Sequence, residues 1–537
     1  MTTRSGPAGT SSACSDQVNL AHWVHDRAGS SPDAVAVRQG DVLLTYARLD
    51  AASAAFGERL RGLGVEPGDR VALIAPNVVA FPVAYYAILR IGAVVVPMNP
   101  LLKAGEIAYT WQDCGARVAV VFATFAEPAQ AAAGTTGTQV VVVGPDDLGP
   151  DDLGEPHAAA AVVVTSTNDI VERAASDTAV VLYTSGTTGR PKGAELSFAN
   201  LRTNTLACVE TLFLNGPDDV LFGGLPLFHS FGQTCALNTS VAGGSCLTLL
   251  PRFDPQQALE VLARDGVTVF LGVPTMYMAL LAAVERDASL ADRAATVRLG
   301  VCGGSSLPVE VLRGVESALG MHLLEGYGLS ETSPVASFNH PDRPSRPGSV
   351  GVPIRGVELA LGRPPQDDED DGDDAAPVEL LDDDPDAIGE ILVRGENVML
   401  GYWANPDATR EAMRGGWFHT GDLARRDADG CYFIVDRVKD LIIRNGFNVY
   451  PREVEEVLYA HPAVAEAAVV GVPDPLRGEE VGALVQLREG AEVSADELRD
   501  FVAERIAAFK YPRVIRFGPV PKGPTGKILK REIDLRG

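Results

Sequence analysis

The sequence predicts an α/β protein in two parts: a large N-terminal part built on doubly wound parallel sheet, and a small α+β part after residue 436. Three observations carry this. Short apolar runs bounded by Gly, Pro and Asn recur through the first three hundred residues, as buried parallel strands require. Stretches of helical spacing lie between them, the order that makes right-handed crossovers. After Asp436 the texture changes: helix spacing follows Pro451, and two short strands lead to a further helix, a plausible α+β unit of roughly a hundred residues.

Taken in order, residues 1–17 read as a disordered tail with no apolar core of a secretory signal. Leu20 to Leu60 read as helical pieces around a short strand. Val71–Ala75 and Ala93–Pro97 read as buried strands, with a helix over Phe81–Arg90 between them. Further strands follow at Val118–Phe122, Gln139–Val143, Ala179–Tyr183, Cys246–Leu250, Val267–Leu271 and Arg298–Cys302, with a helix after Pro274. Residues 124–176 are rich in Ala, Asp, Gly and Thr and read as a loose connection around one strand. In the last part, Pro451 suits the first turn of a helix carrying Val454, Val457 and Leu458. Ala467–Val472 and Gly482–Gln486 read as strands, and Glu497–Ala507 as a helix. The boundary falls at 436/437, giving domains of 18–436 and 437–537.

The 537 residues include 45 Lys and Arg against 71 Asp and Glu, a net charge of −26. A phosphate backbone is repelled by such a chain, which disfavours nucleic acid as a partner. The charge is regional. Asp367 to Asp386 holds twelve acidic and no basic residues, and Val121 to Ser176 nets −7, so a local anion site survives elsewhere. The stretch 367–386 reads as a solvated loop. Seven cysteines without a C-x-x-C pair fit reduced thiols in a cytoplasmic enzyme. No apolar run approaches a membrane span.

Four segments carry chemistry. Tyr183–Gly193, YTSGTTGRPKG, puts four hydroxyls and three glycines after an apolar strand and closes on Arg190 and Lys192. Backbone N–H groups freed by glycine, with hydroxyls, suit phosphate oxygens, although the Walker A pattern is absent. Glu325–Thr332, EGYGLSET, offers a carboxylate after a hydroxyl, an oxygen pair suited to Mg²⁺ beside a phosphate. Trp417–Asp422, WFHTGD, with Asp436–Arg444, DRVKDLIIR, supplies an acid for ribose hydroxyls and a planar cation. Pro521–Lys530, PKGPTGKILK, is a cationic tip near the chain end. His229 stands among aromatics in LPLFHSFG. No serine-hydrolase elbow and no zinc pattern occurs.

With GGSSLP at 303–308, these segments in this order closely resemble the ANL superfamily of adenylate-forming enzymes over roughly residues 20–534. PRFDP and GVPTMY look most like bacterial long-chain fatty-acid–CoA ligases. The resemblance implies a β-barrel-like part within the large domain and a mobile small domain. It implies ATP, Mg²⁺ and coenzyme A, and two half-reactions: acid plus ATP to acyl-AMP and pyrophosphate, then coenzyme A to acyl-CoA and AMP.

Roles follow by position as implications of the resemblance. Thr184, Ser185, Gly186, Thr187, Thr188, Gly189 and Lys192 match the loop that holds the β/γ-phosphates. Ser330 matches a phosphate-contacting hydroxyl, and Glu331, with Thr184, the metal-linked oxygens. Gly304, Ser305, Ser306, Gly326 and Tyr327 match the adenine wall; Glu325, Gly328 and Ile434 complete the nucleotide set. Asp422 and Arg437 match the ribose pair, and Lys527 the lysine that meets the reacting carboxylate and α-phosphate. His229 matches the gate by the carboxylate, Lys439 the hinge, and Gly446 and Phe447 the pantetheine tunnel. Phe231, Cys235, Gly304, Pro334 and Val335, with His229, form the acid pocket. A medium- or long-chain fatty acid is expected; the alternative is an aryl acid or another small anion such as nitrite, as in an ATP-dependent diazotising enzyme. A homodimer is a further expectation.

Overall fold

The computed structural model describes residues 18–145, 170–184, 190–363, 378–381, 387–523 and 526–536. The tail 1–17, loop residues Ser185, Gly186, Thr187, Thr188 and Gly189, and most of the acidic stretch 367–386 lie outside the described residues.

Two large sheets dominate the N-terminal part. The first has seven strands, in the order Gly401–Tyr402, Lys192–Ser197, Thr178–Thr184, Val94–Met98, Arg70–Ile74, Val118–Phe122 and Gln139–Val143. Its last five are parallel; Lys192–Ser197 runs antiparallel beside them, and the short Gly401–Tyr402 pairs antiparallel with it at the edge. The second has nine strands. Six from Val35–Gln39 to His322–Gly328 are parallel, and antiparallel strands close both edges. The expected doubly wound parallel sheets are therefore present, with mixed rims. The expected strands sit within a few residues of their reading.

The helix Ala80–Arg90 shows what joins the sheets. All eleven of its residues are buried, which an all-round apolar helix needs. Its one cation, Arg90, donates to Asp50 at 2.6 Å, so the buried charge is paired. Residues 20–60 hold a hairpin, Val35–Gln39 with Val42–Thr45, where one strand is expected. The loose connection expected at 124–176 is corrected in part. Ala126–Thr136 is a helix ending at Gly137, whose φ of +73° stops it, and Ala129 and Ala132 are buried. Small alanines pack that helix without the large apolar stripe that marks a helix in sequence.

A third sheet of five antiparallel strands, Val357–Gly362, Gly389–Gly395, Trp417–Arg426, Met413–Arg414 and Tyr432–Arg437, stands where the β-barrel-like part is expected. Val378–Leu381, inside the acidic stretch, returns to this sheet: Leu381 donates to the Leu361 carbonyl at 2.7 Å, and Val378 packs on its core. The C-terminal unit has its own core around Ile442, Val454, Leu458, Val469, Val481 and Val485. A five-stranded sheet and the helices Pro451–Tyr459 and Ala495–Ala503 enclose it. Arg437 still pairs with Asp422 in the third sheet, and the C-terminal sheet opens at Ile442, so the turn Val438–Asp440 is the link.

Candidate active site

The parallel strands of both large sheets end toward one crevice, where open α/β sheets place ligands. Thr184 closes the strand Thr178–Thr184, His229 follows Val220–Gly223, Gly304 follows Leu299–Cys302, and Tyr327 and Glu331 sit at the end of His322–Gly328. Third-sheet residues Asp422, Ile434 and Arg437 form another wall, and Lys527 arrives from the C-terminal unit.

Glu331 is the meeting point of the first and second sheets. Its carboxylate accepts from the Thr184 hydroxyl at 3.4 Å and from the Tyr402 hydroxyl at 3.0 Å. Lys192 lies 5.3 Å from the centre of the same Tyr402 ring. Tyr402 is thus a site residue that the sequence reading misses. Its only signal is an aromatic after Gly401; the pairing of Gly401–Tyr402 with Lys192–Ser197 brings it in. Thr184 and Glu331 are hard oxygen donors, and no group of three or more His, Cys, Asp or Glu gathers around a metal among the described residues. That donor set fits Mg²⁺, which takes few protein ligands and fills its shell with phosphate and water.

The residues expected to meet the nucleotide are equally connected. Tyr327 donates to one Asp422 oxygen at 2.6 Å, and Arg437 donates to the other at 3.1 Å. Burial and the Asp422 charge push the Tyr327 hydroxyl up, so it stays protonated as a donor. Ser230 and Ser330 hydroxyls meet at 3.3 Å, which adds Ser230 to the site. Gly328 has a steric reason: a Cβ there would lie 1.8 Å from the Pro334 carbonyl oxygen. Gly326 packs on the Phe338 ring. Gly304, at φ +83°, and Ser305 and Ser306 form the turn after their strand. Glu325 faces inward instead. It is buried, accepts the Leu307 N–H at 3.0 Å, and burial raises its carboxyl to about 7 despite Arg452 nearby.

Lys527 is held in electrostatic reach of Arg437, Asp422, Asp440 and Glu331, and burial followed by the Arg437 charge lowers its ammonium to about 8. Burial and Lys527 lower the His229 imidazole to about 4, so it is neutral at pH 7. The lysine loop is seated on the large domain: a Cβ on Gly526 would come 2.7 Å from the Thr275 hydroxyl. Nearby, the Val309 N–H reaches Glu456 at 3.4 Å. The structure thus brings Thr184, Lys192, His229, Tyr327, Glu331, Asp422, Arg437 and Lys527 together. Lys439 lies in the link, and Gly446 and Phe447 are exposed on the hairpin beyond it, outside the gathered set.

Around the expected acid pocket, the Phe231 ring stands against Gly303, and Val335 is clamped by Asn204, which donates to its carbonyl at 2.7 Å. Pro334 supplies the carbonyl against Gly328. Cys235 is fully buried with its thiol on Cys208.

The gathered set is a paired acid and cation on Tyr327, a hydroxyl–carboxylate pair, and a lysine delivered by a second unit. The chain belongs to the AMP-binding enzyme family: the family profile matches residues 24–403, and that of the AMP-binding enzyme C-terminal domain matches 453–527. It is 34% identical to a long-chain-fatty-acid–CoA ligase of Bacillus subtilis, over 95% of this chain and 92% of that one. It is 37% identical to a feruloyl-CoA synthase of Amycolatopsis, over 96% and 99%. It also superimposes on ATP-bound MatB from Rhodopseudomonas palustris with a TM-score of 0.85 and 33% identity, covering 96% and 98%. The protein is an ATP-dependent acyl-CoA synthetase of the ANL superfamily, and it uses ATP and coenzyme A. No helix among the described residues is long and apolar enough to cross a membrane.

Proposed function

We propose that this enzyme joins a carboxylic acid with a largely apolar body to coenzyme A, with Lys527 as the group that organises the first half-reaction. The single observation behind this is the seating of Lys527 beside Asp422, Arg437, His229 and Glu331. In that half-reaction a carboxylate oxygen of the acid attacks the α-phosphorus, and the bond to the β-phosphate oxygen breaks to release pyrophosphate. Two anions must approach each other, so a cation between them lowers the barrier most where charge develops. Lys527 meets both. Asp422 and Arg437 fix the ribose, Tyr327 covers the base, and Lys192 and Thr184 take the terminal phosphates. Mg²⁺ at Glu331 and Thr184 would neutralise phosphate charge when bound. In the second half-reaction the thiol sulfur of coenzyme A attacks the acyl carbon, the bond to AMP breaks, and the thiol proton passes to solvent. Neutral His229 gates the carboxylate position without adding charge.

Phe231, Pro334 and Val335 support an apolar acid body. The relatives' names support two classes for it. A fatty acid of medium or long chain is favoured by the Bacillus ligase, and an aryl acid by the feruloyl-CoA synthase. The free described cysteines and the need for ATP and coenzyme A favour work in the cytoplasm. Pyrophosphate release across alkyl acids, aryl acids and nitrite, with and without coenzyme A, tests the reading. Release that depends on a carboxylic acid, followed by coenzyme-A-dependent thioester, supports it. Release with nitrite alone overturns it.

A further inference from the structure

The strand Gly389–Gly395 pairs with Trp417–Arg426, and the ladder between them breaks at one place. Glu390 stands opposite Leu423, and Leu392 opposite His419. Thr420, Gly421 and Asp422 therefore face Ile391 alone. A bulge of this kind bends its strand and re-aims a side chain, and bulges gather beside active sites. The residue at the end of this one is Asp422, whose carboxylate accepts from Tyr327 and Arg437.

Backbone N–H groups inside a bulge lose their ladder partners and need others. Two side chains supply them. The Thr420 hydroxyl donates to the Ile391 carbonyl at 2.8 Å and accepts the Asp422 N–H at 3.1 Å. One Glu390 oxygen accepts the Gly421 N–H at 2.8 Å, and the other lies 2.8 Å from His419 Nδ1. A carboxylate only accepts, so His419 donates through Nδ1. Gly421, at φ +72°, makes the left-handed turn between them. Glu390 is 3% exposed, and neither of these partners is a lysine or arginine. A carboxylate is costly to bury, and an ordinary ladder bond would satisfy Gly421 without one. The charge therefore serves the shape of the bulge.

We infer that Glu390, held by His419, is a positioning residue for nucleotide binding: it fixes the turn at Gly421 and so sets where Asp422 meets the ribose hydroxyls. Tyr327 and Arg437 steer the Asp422 carboxylate, but its backbone is placed by the bulge, and a site is only as well aimed as the shell that supports it. This rests on the ribose role given to Asp422 above.

The test uses the full chain with Mg²⁺ and no acid, and compares Kd by calorimetry for ATP and for 2′,3′-dideoxy-ATP, which lacks both hydroxyls. Wild type is expected to bind ATP at least about tenfold more tightly, since a site built to bond a hydroxyl rejects the analogue lacking it. Glu390→Met keeps volume and removes both acceptors. It is expected to bring the ratio close to one by weakening ATP, with the dideoxy nucleotide within about twofold of wild type. Glu390→Gln, which keeps an acceptor for Gly421, is expected to recover most of the ratio. An unchanged ratio in Glu390→Met, or equal weakening of both nucleotides, overturns the inference and leaves only a structural role. If Glu390→Met does not fold, His419→Leu decides: a lowered ratio supports the inference and an unchanged one overturns it. Asp422→Asn separates the two readings. Loss of the ratio there, with the ratio kept in Glu390→Met, overturns this inference alone. No preference in wild type, or a ratio kept in Asp422→Asn, overturns the ribose role of Asp422 and this inference with it.

Discussion

Lys527 shows how much a single side chain depends on its surroundings. In sequence it is one cation in PTGKILK; in the fold, burial and the Arg437 guanidinium lower its ammonium to about 8. The protonated form is the one that can bridge two anions. Adenylation measured as kcat/KM is therefore expected to fall as pH rises through about 8, because that parameter reports the free enzyme. Lys527→Arg moves this limb upward, since guanidinium does not titrate there; a limb in the same place with arginine would assign it to another group. Lys527→Ala is expected to lower pyrophosphate release by at least about a hundredfold, while thioester formation from supplied acyl-AMP persists. Glu325 works in the opposite sense. Its folded carboxyl, near 7, lies above the unfolded value, so its contribution is intact below about pH 4.5 and is lost as pH rises through 7. The cost at pH 8 is about 3 kcal/mol. Glu325→Gln keeps an acceptor for Leu307 and is expected to raise Tm at pH 8 but not at pH 4.5, by calorimetry at both pH values.

Elements connect these residues. Asp422 and Arg437 are legible as an acid and a cation fifteen residues apart, but their pairing is a property of two antiparallel strands in register. Glu331 and Thr184 meet because strands of different sheets end at one crevice. The turn Val438–Asp440 bridges the third sheet and the C-terminal sheet, with Lys439 exposed. Lys439→Pro fixes φ at this link. Thioester formation is expected to slow by at least about tenfold with pyrophosphate release nearly unchanged, if the unit rotates there between half-reactions. Equal loss in both steps would place the defect in folding. The strands are legible because buried parallel strands are continuous apolar runs. The helix Ala126–Thr136 is not, since alanine fits helix, loop and core alike.

At the scale of the molecule, the C-terminal unit has a separate core and meets the large domain through polar contacts: Gly526 against Thr275, Val309 on Glu456, Arg452 on Asp436 and the Ile434 carbonyl, and Arg488 on Glu285. The acidic stretch is divided by the structure: Val378–Leu381 completes the third sheet and packs inward. Deleting 364–377 is expected to leave pyrophosphate release within about twofold of wild type. A cut extended to residue 386 removes the packing of Val378 and Leu381 and should lower Tm. A large loss of activity from the shorter cut would show that the acidic residues do more than solvate.

The sequence by itself determined the sheets, the order of the motifs and the family, because strand periodicity and short phosphate- and ribose-binding segments are local. The partners could only be decided by tertiary structure: Tyr402 under Lys192 and Ser230 on Ser330. Those depend on which strand ends converge and which polar atoms are left without water. Neither is written in any stretch of neighbouring residues, because both arise only when distant segments are packed against each other.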